Sequence, residues 1–331
     1  MLDNFKRNIN YLRVSVTDRC NLRCRYCMPK EGVSALGHND ILRYEEILRV
    51  VRIAVRLGVS KVRVTGGEPL SRKGLVDFVA ILNTISGLQD LSLTTNGVLL
   101  GEYAASLYQA GIKRINISLD SLDPEKYAHI TRGGRMETVM KGIEAAHEIG
   151  FSPIKINVVA IKGFNEDEIV DFARLATRRP YEVRFIELMP FGDQPGRDGL
   201  GEYLSAGEIR QEIEKHYALQ PLDSEESGVN GPARMYRIEG APGRIGFISP
   251  MSRHFCNDCN RLRLTADGHL RACLFSDAET DLKKSLRAGC SDGEIESLLM
   301  EAIIQKPLQH NMRADEAVRR KCARTMQAIG G

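Results

Sequence analysis

No run of eighteen apolar residues occurs in the 331-residue chain, so a membrane-spanning helix is not expected. The opening MLDNFKR lacks the apolar stretch and small-residue cleavage site of a secretory leader, which makes the cytoplasm the expected location. An excess of one charge is also missing. Lys and Arg number 46 against 43 Asp and Glu, and a formal net charge of +3 is too small to hold nucleic acid or a membrane surface by bulk electrostatics. Any anion site must therefore be local. No G-x4-G-K-[ST] loop is present, which removes one common phosphate cradle at a helix N-terminus. Internal repeats and low-complexity blocks are absent too, setting solenoid architectures aside. A hydrophobic content of 43% argues against disorder and suffices for one large barrel or two ordinary domains.

The chain does have cysteines in an informative arrangement. Cys20, Cys24 and Cys27 follow the strand-like run 11–16 with C-x3-C-x2-C spacing. Three thiolates on one short loop can hold three corners of a [4Fe-4S] cluster, which normally takes four, and the remaining iron is then open to a small-molecule chelator. Zinc or disulfides are the plain alternatives. The spacing, the lack of a His in the loop and an expected reducing compartment count against both. Cys256, Cys259 and Cys273 form a second group, with the Asp267-Gly268 turn folding the last thiol back towards the first two. This group reads either as a second three-thiolate cluster site or as a zinc knuckle completed by His254 or His269. Cys290 and Cys322 have no partner spacing and read as ordinary thiols.

Short β-branched runs at 11–16, 61–65, 91–95, 114–119, 154–161 and 182–188 alternate with amphipathic segments such as 45–57 and 137–149, which end at Gly58 and Gly150. That alternation predicts βα units around a parallel sheet. Six units fall short of eight, so the expected fold is α/β, an open, partial (β/α)6 barrel of TIM type with its site at the strands' C-terminal ends. The barrel is expected over 1–190. Residues 191–331 are expected to form an extension of β-hairpins and helices carrying the second cysteine group. Within it, the Gly/Pro/Asp-rich stretch 191–201 reads as a connection, 205–217 as a helix, and 233–238, 244–248, 261–265 and 269–273 as short strands.

Strands covered by helices should be nearly continuous apolar runs, yet these are interrupted by cations. Lys61 and Arg63 alternate with Val62 and Val64, Arg261 and Arg263 repeat the i, i+2 spacing, and Arg13, Lys155 and Arg184 break other strands. Buried cations without partners cost several kcal/mol, so seven of them either reach solvent or converge on a bound anion. Arginine's planar fork suits phosphate, and three or four such groups would neutralise a triphosphate held inside the barrel.

The segments LRVSVTDRCNLRCRYCMPK (12–30), VRVTGGEPL (62–70), LTTNG (93–97), INISLDSL (115–122), FIELMP (185–190), FCNDCNRLR (255–263) and the terminal IGG (329–331) carry a resemblance that spans the whole chain. The cysteine spacing with Tyr26 before the third thiol resembles the radical S-adenosylmethionine superfamily. The full set is similar to its GTP 3′,8-cyclase (MoaA-type) family, which opens molybdenum-cofactor biosynthesis. The resemblance implies a [4Fe-4S] cluster on Cys20, Cys24 and Cys27 that takes S-adenosylmethionine, with Tyr26, Gly67, Ser118 and Met189 completing the pocket. It implies a second [4Fe-4S] cluster on Cys256, Cys259 and Cys273 facing guanine. GTP contacts would come from Arg13, Lys61, Arg63, Thr94, Lys155, Arg184, Arg261, Leu262 and Arg263, with Arg13, Arg261 and Arg263 counted as catalytic. A 5′-deoxyadenosyl radical would take hydrogen from C3′ of GTP, and C3′ would then bond to C8. The resemblance further implies an external electron donor, a homodimer, and Gly330 and Gly331 reaching back into the site. A cluster-bearing electron carrier, a zinc-stabilised nucleotide module and a peptide-modifying radical enzyme are the rival readings.

Overall fold

The computed structural model describes residues 1–191, 200–223, 231–310, 312 and 322–330. The predicted connection at 191–201 and Gly331 therefore lie largely or wholly outside the described residues. Six parallel strands come first, in chain order across the sheet: β1 (Tyr11–Ser15), β2 (Lys61–Thr65), β3 (Asp90–Thr95), β4 (Ile115–Ser118), β5 (Ile154–Lys162) and β6 (Tyr181–Glu187). Helices α1 (Tyr44–Arg56), α2 (Leu75–Asn83), α3 (Leu100–Gln109), α4 (Pro124–Thr131), α5 (Met136–Ile149) and α6 (Ile169–Arg178) connect or follow them. Each of these six predicted strands lies within one residue of its observed ends. The helix stops are the expected glycines: Gly58 lies just beyond α1 at φ +108° and Gly150 ends α5 at φ +100°, a left-handed conformation that costs glycine little.

The strands alternate as the cation spacing requires. Val62 and Val64 on β2 are fully buried on the side of the main hydrophobic core, while Lys61 and Arg63 turn to the concave side. Burying each such aliphatic side chain contributes about 1.5–3 kcal/mol. That core, filled by residues such as Leu12, Ile47, Phe78, Ile117 and Phe172, fixes the strand register and hence the positions of the cations behind it.

The C-terminal region continues the same sheet at both edges. After β7 (Glu202–Tyr203), α7 (Ala206–Glu214) and β8 (Leu219–Pro221) come the hairpin of β9 (Arg234–Ile238) and β10 (Arg244–Ile248), then that of β11 (Arg261–Leu264) and β12 (His269–Arg271). Strand β10 runs parallel to β6 and β11 runs parallel to β1, giving the order β13-β12-β11-β1-β2-β3-β4-β5-β6-β10-β9-β8, with β13 at Thr280–Asp281. Eight strands are thus parallel. Among the described residues β10 and β11 do not pair, so the barrel is open. Helices α8 (Leu282–Arg287) and α9 (Asp292–Ile304) lie beside α1, tied by Arg49 to Asp292 at 2.8 Å and Arg287 to Glu46 at 3.0 Å. The short α10 (Met326–Ile329) brings Gly330 onto the C-terminal ends of β1 and β2, where a Cβ would lie 2.6 Å from Ser15 Cβ and 3.0 Å from Thr65 Oγ1.

Candidate active site

Parallel strands aim their C-terminal ends one way, so the two cysteine groups fall at opposite ends of the sheet. Cys20, Cys24 and Cys27 follow the end of β1, whereas Cys256 and Cys259 precede the start of β11 and Cys273 follows β12, its antiparallel partner. All six are free thiols and line one cavity of about 330 Å³ inside the barrel. In the first group burial pushes all three thiols up, and nearby negative charge raises them further: Cys27, Asp120 and Cys20 act on Cys24, Cys20 and Asp120 on Cys27, and Glu68 on Cys20. A metal cation relieves both costs.

The first loop is braced from β2 and β3. Gly67 is a glycine because the chain itself comes close: a Cβ there would lie 2.4 Å from the Arg19 carbonyl oxygen and 2.8 Å from that of Asp18, immediately before Cys20. Glu68 is fully buried and accepts hydrogen bonds from the Leu70 N–H at 3.0 Å, Thr95 Oγ1 at 2.8 Å and the Asn96 N–H at 2.7 Å, although burial still pushes it up to about 7. Asn96 Nδ2 reaches Asn21 Oδ1 at 2.7 Å and Cys20 Sγ at 3.7 Å. Tyr26 donates to Asp120 Oδ2 at 2.6 Å, and Asp120 is raised by burial to about 6. Gly67→Ala is therefore expected to cost about 1–3 kcal/mol, as overpacking does, and to weaken iron retention. Thermal unfolding and iron per chain after desalting measure both, and wild-type values for the two would contradict this account of the loop.

At the other end the register sets three arginines abreast. Arg13 on β1 is directly opposite Arg63 on β2 and Arg263 on β11, with Tyr11 flanked in the same way by Lys61 and Arg261. Neighbouring strands are about 4.8 Å apart, so these are like charges side by side in a largely buried layer. Burial, and then Arg263, pull Arg13 well below its ordinary value; burial and then Arg261 bring Arg263 to about 9. A guanidinium nonetheless stays protonated at neutral pH. Arg13 Nε, Arg263 Nη1, Arg184 Nε, Thr94 Oγ1, Tyr11 Oη and Asn157 Oδ1 are buried without a hydrogen-bond partner, and all six residues line the cavity. Such groups call for a ligand. A polyanion with hydroxyl groups fits them.

Not every cation is open. Buried Glu182 binds Lys155 at 3.2 Å and Arg184 at 2.6 Å, and Arg63 Nε donates to Ser92 Oγ at 3.2 Å. Arg114, at the start of β4 and paired with Asp90, lines the same cavity. The sequence reading passed over Arg114, which opens the predicted run 114–119 and has no second cation two residues on. Of the residues predicted to hold the clusters, adenosylmethionine and GTP, all line the cavity except Leu262. Its side chain lies in the main core, as alternation between Arg261 and Arg263 demands.

The two histidines that a zinc knuckle could use lie in different surroundings. His269 is 3.1 Å from Asp267, while His254 and Cys256 gather with His310 instead. His310 uses both ring nitrogens, Nε2 on the Pro250 carbonyl at 3.0 Å and Nδ1 accepting from the Met312 N–H at 3.2 Å, so neither is left for a metal. Cys322 is not idle: Arg271 Nη2 donates to its sulfur at 3.2 Å.

The family described as Radical SAM superfamily matches residues 14–176, and that described as Molybdenum Cofactor Synthesis C matches 181–312. The GTP 3′,8-cyclase of Moorella thermoacetica is 51% identical over 331 residues, all of both chains. The chain belongs to the GTP 3′,8-cyclase family of radical S-adenosylmethionine enzymes. The family's enzyme from Thermodesulfovibrio yellowstonii is 50% identical over 333 residues, again all of both chains. Among solved structures, Streptococcus suis SuiB bound to S-adenosylmethionine matches 98% of this chain and 77% of its own, with a TM-score of 0.58 and 14% identity, a likeness of fold. Membership in this family implies a [4Fe-4S] cluster and S-adenosylmethionine, and the three free thiols of the first loop fit that cluster. Among the described residues no helix is long and apolar enough to cross a membrane.

Proposed function

We propose that this protein converts GTP into 3′,8-cyclo-7,8-dihydro-GTP, the first step of molybdenum-cofactor biosynthesis, with GTP held between two [4Fe-4S] clusters. The observation that carries the substrate assignment is the layer of Arg13, Arg63 and Arg263, abreast, with unmet donors on Arg13 and Arg263. Arginine forks in that layer bind the triphosphate, supported by Lys61, Arg261, Lys155 and Arg184, and Thr94 donates to the same ligand. Cys256, Cys259 and Cys273 hold the second cluster, whose open iron takes the guanine edge. Cys259 is suited to ligation: burial raises its thiol, but Arg261 and Lys306 outweigh burial and bring it down to about 6, so the thiolate is already present at neutral pH.

Tyr26, Gly67, Ser118 and Met189 surround S-adenosylmethionine at the first cysteine loop. When bound there, the reduced cluster and adenosylmethionine supply a 5′-deoxyadenosyl radical. The chain's own part is positioning. Anchoring the substrate by its phosphates at the arginines and by its base at the second cysteine group leaves the ribose between them, presenting C3′ for hydrogen abstraction. Orientation of this kind supplies roughly 7–11 kcal/mol of a barrier. Enclosure by the barrel excludes water, and Gly330 on Ser15 and Thr65 places the C-terminal tail at the strand ends near the first loop. The same reading takes a reducing cytoplasm as the location, an external one-electron donor and a homodimer as partners.

Reconstituted without oxygen and given dithionite, adenosylmethionine and GTP, the protein is expected to yield 5′-deoxyadenosine and a cyclised product of unchanged GTP mass, both read by mass spectrometry. Deoxyadenosine without any GTP-derived product would remove GTP as the substrate.

A further inference from the structure

Lys306 stands two residues beyond α9 and is 3% exposed. Its ammonium donates to the carbonyl of Arg261 at 2.9 Å and to that of Ala272, which lie on the two arms of the β11–β12 hairpin. Those carbonyls belong to the second residue after Cys259 and the residue just before Cys273, so the ammonium stands beside both thiols. An ammonium has three donors and no acceptor, so one donor remains beyond these two carbonyls. Among the described residues Lys306 forms no ion pair with a carboxylate. The negative groups that hold its charge are Cys259 and Cys273, one on each arm. Arg7, the neighbouring buried cation, differs. Its Nε is matched by Asp3 at 2.6 Å, and its remaining donors hold the carbonyls of Cys256 at 2.8 Å, Pro307 at 2.8 Å and Leu308 at 3.0 Å. Arg7 is thus a neutralised clamp on the same loop, while Lys306 keeps a charge that only the cysteine sulfurs offset.

We propose that Lys306 is a positioning residue of the second cluster, whose ammonium, anchored on the hairpin beside Cys259 and Cys273, sets the cluster's reduction potential. The inference rests on the reading of Cys256, Cys259 and Cys273 as cluster ligands. A buried ammonium without a counterion costs several kcal/mol, and a thiolate-ligated cluster supplies the missing negative charge. Hydrogen bonds to ligand sulfur and nearby positive charge stabilise the reduced, more negative cluster, so they raise its potential.

The test uses the full chain carrying Cys24→Ala, in which the second cluster is the remaining one. Iron is counted and the midpoint potential is read by a redox titration followed by electron paramagnetic resonance. Adding Lys306→Met is expected to leave about four irons and move the potential to a more negative value, while Lys306→Arg stays near the parent. A full iron count with an unchanged potential in Lys306→Met would overturn the proposal. If Lys306→Met cannot retain its iron, Lys306→Arg decides: recovered iron supports the charge-bearing role, and equal loss in both overturns it in favour of packing alone. Failure of the second-cluster reading itself is seen separately, as a Cys24→Ala parent without iron.

Discussion

Arg263→Met is expected to lower kcat/KM for GTP by about 100- to 1,000-fold, while making the ligand-free protein more stable to heat. The two effects share one cause. Arg263 is directly opposite Arg13 on the neighbouring strand, and its Nη1 is buried without a partner. With GTP bound, removing it deletes a charge-assisted bond to phosphate in a water-poor site. Losing a single aimed donor of this kind typically costs about 2.7–4 kcal/mol of transition-state stabilisation. Without GTP, the same change removes a buried like charge beside Arg13 while methionine keeps the apolar volume, so the folded state loses repulsion rather than packing. Product should fall further than 5′-deoxyadenosine, because the first cysteine loop is untouched. Calorimetry of the free protein and steady-state kinetics measure the two effects. A lowered melting temperature with unchanged kcat/KM would mean that the arginine layer is scaffolding.

Cys24→Ala is expected to bring adenosylmethionine cleavage to background and to halve the iron, from about eight to about four per chain. Its thiol lies between Cys20 and Cys27 in sequence, lines the cavity and is raised by both. With two thiolates left, the cluster loses a corner. Cys259→Ala should differ in kind. Deoxyadenosine formation should persist while the cyclised product disappears, since that change strikes the base-holding end. Equal loss of deoxyadenosine in both variants would argue against a division of labour between the two cysteine groups.

Much of this was legible in the sequence, for reasons of local chemistry. The six strands, the first cysteine loop and the cations at i, i+2 spacing follow from periodicity and residue type within short windows. The family resemblance then gave roles to Tyr26, Gly67, Ser118, Met189 and Thr94. The pairing of Arg13 with Arg263 was not legible, because β11 reaches the edge beside β1 only after some 250 intervening residues. The same long return hides Lys306 and Arg7, whose partners are mostly backbone carbonyls and leave no mark on spacing. Glu182 was missed because a single carboxylate on an apolar strand does not announce which cations it serves. The resemblance gave Gly67 a place in the adenosylmethionine pocket, and the structure shows a nearer need for glycine, the backbone of Asp18 and Arg19. Leu262 entered through a contiguous motif, whereas strand alternation sends its side chain into the core.

The central claim is that one cavity holds GTP with its base on a cluster bound by Cys256, Cys259 and Cys273. Electron paramagnetic resonance of the reduced Cys24→Ala protein, where that cluster alone remains, tests it most directly. The account predicts that adding GTP changes the cluster's spectrum and that inorganic triphosphate, which has no base, does not. An iron-loaded protein whose spectrum is the same with and without saturating GTP would contradict it.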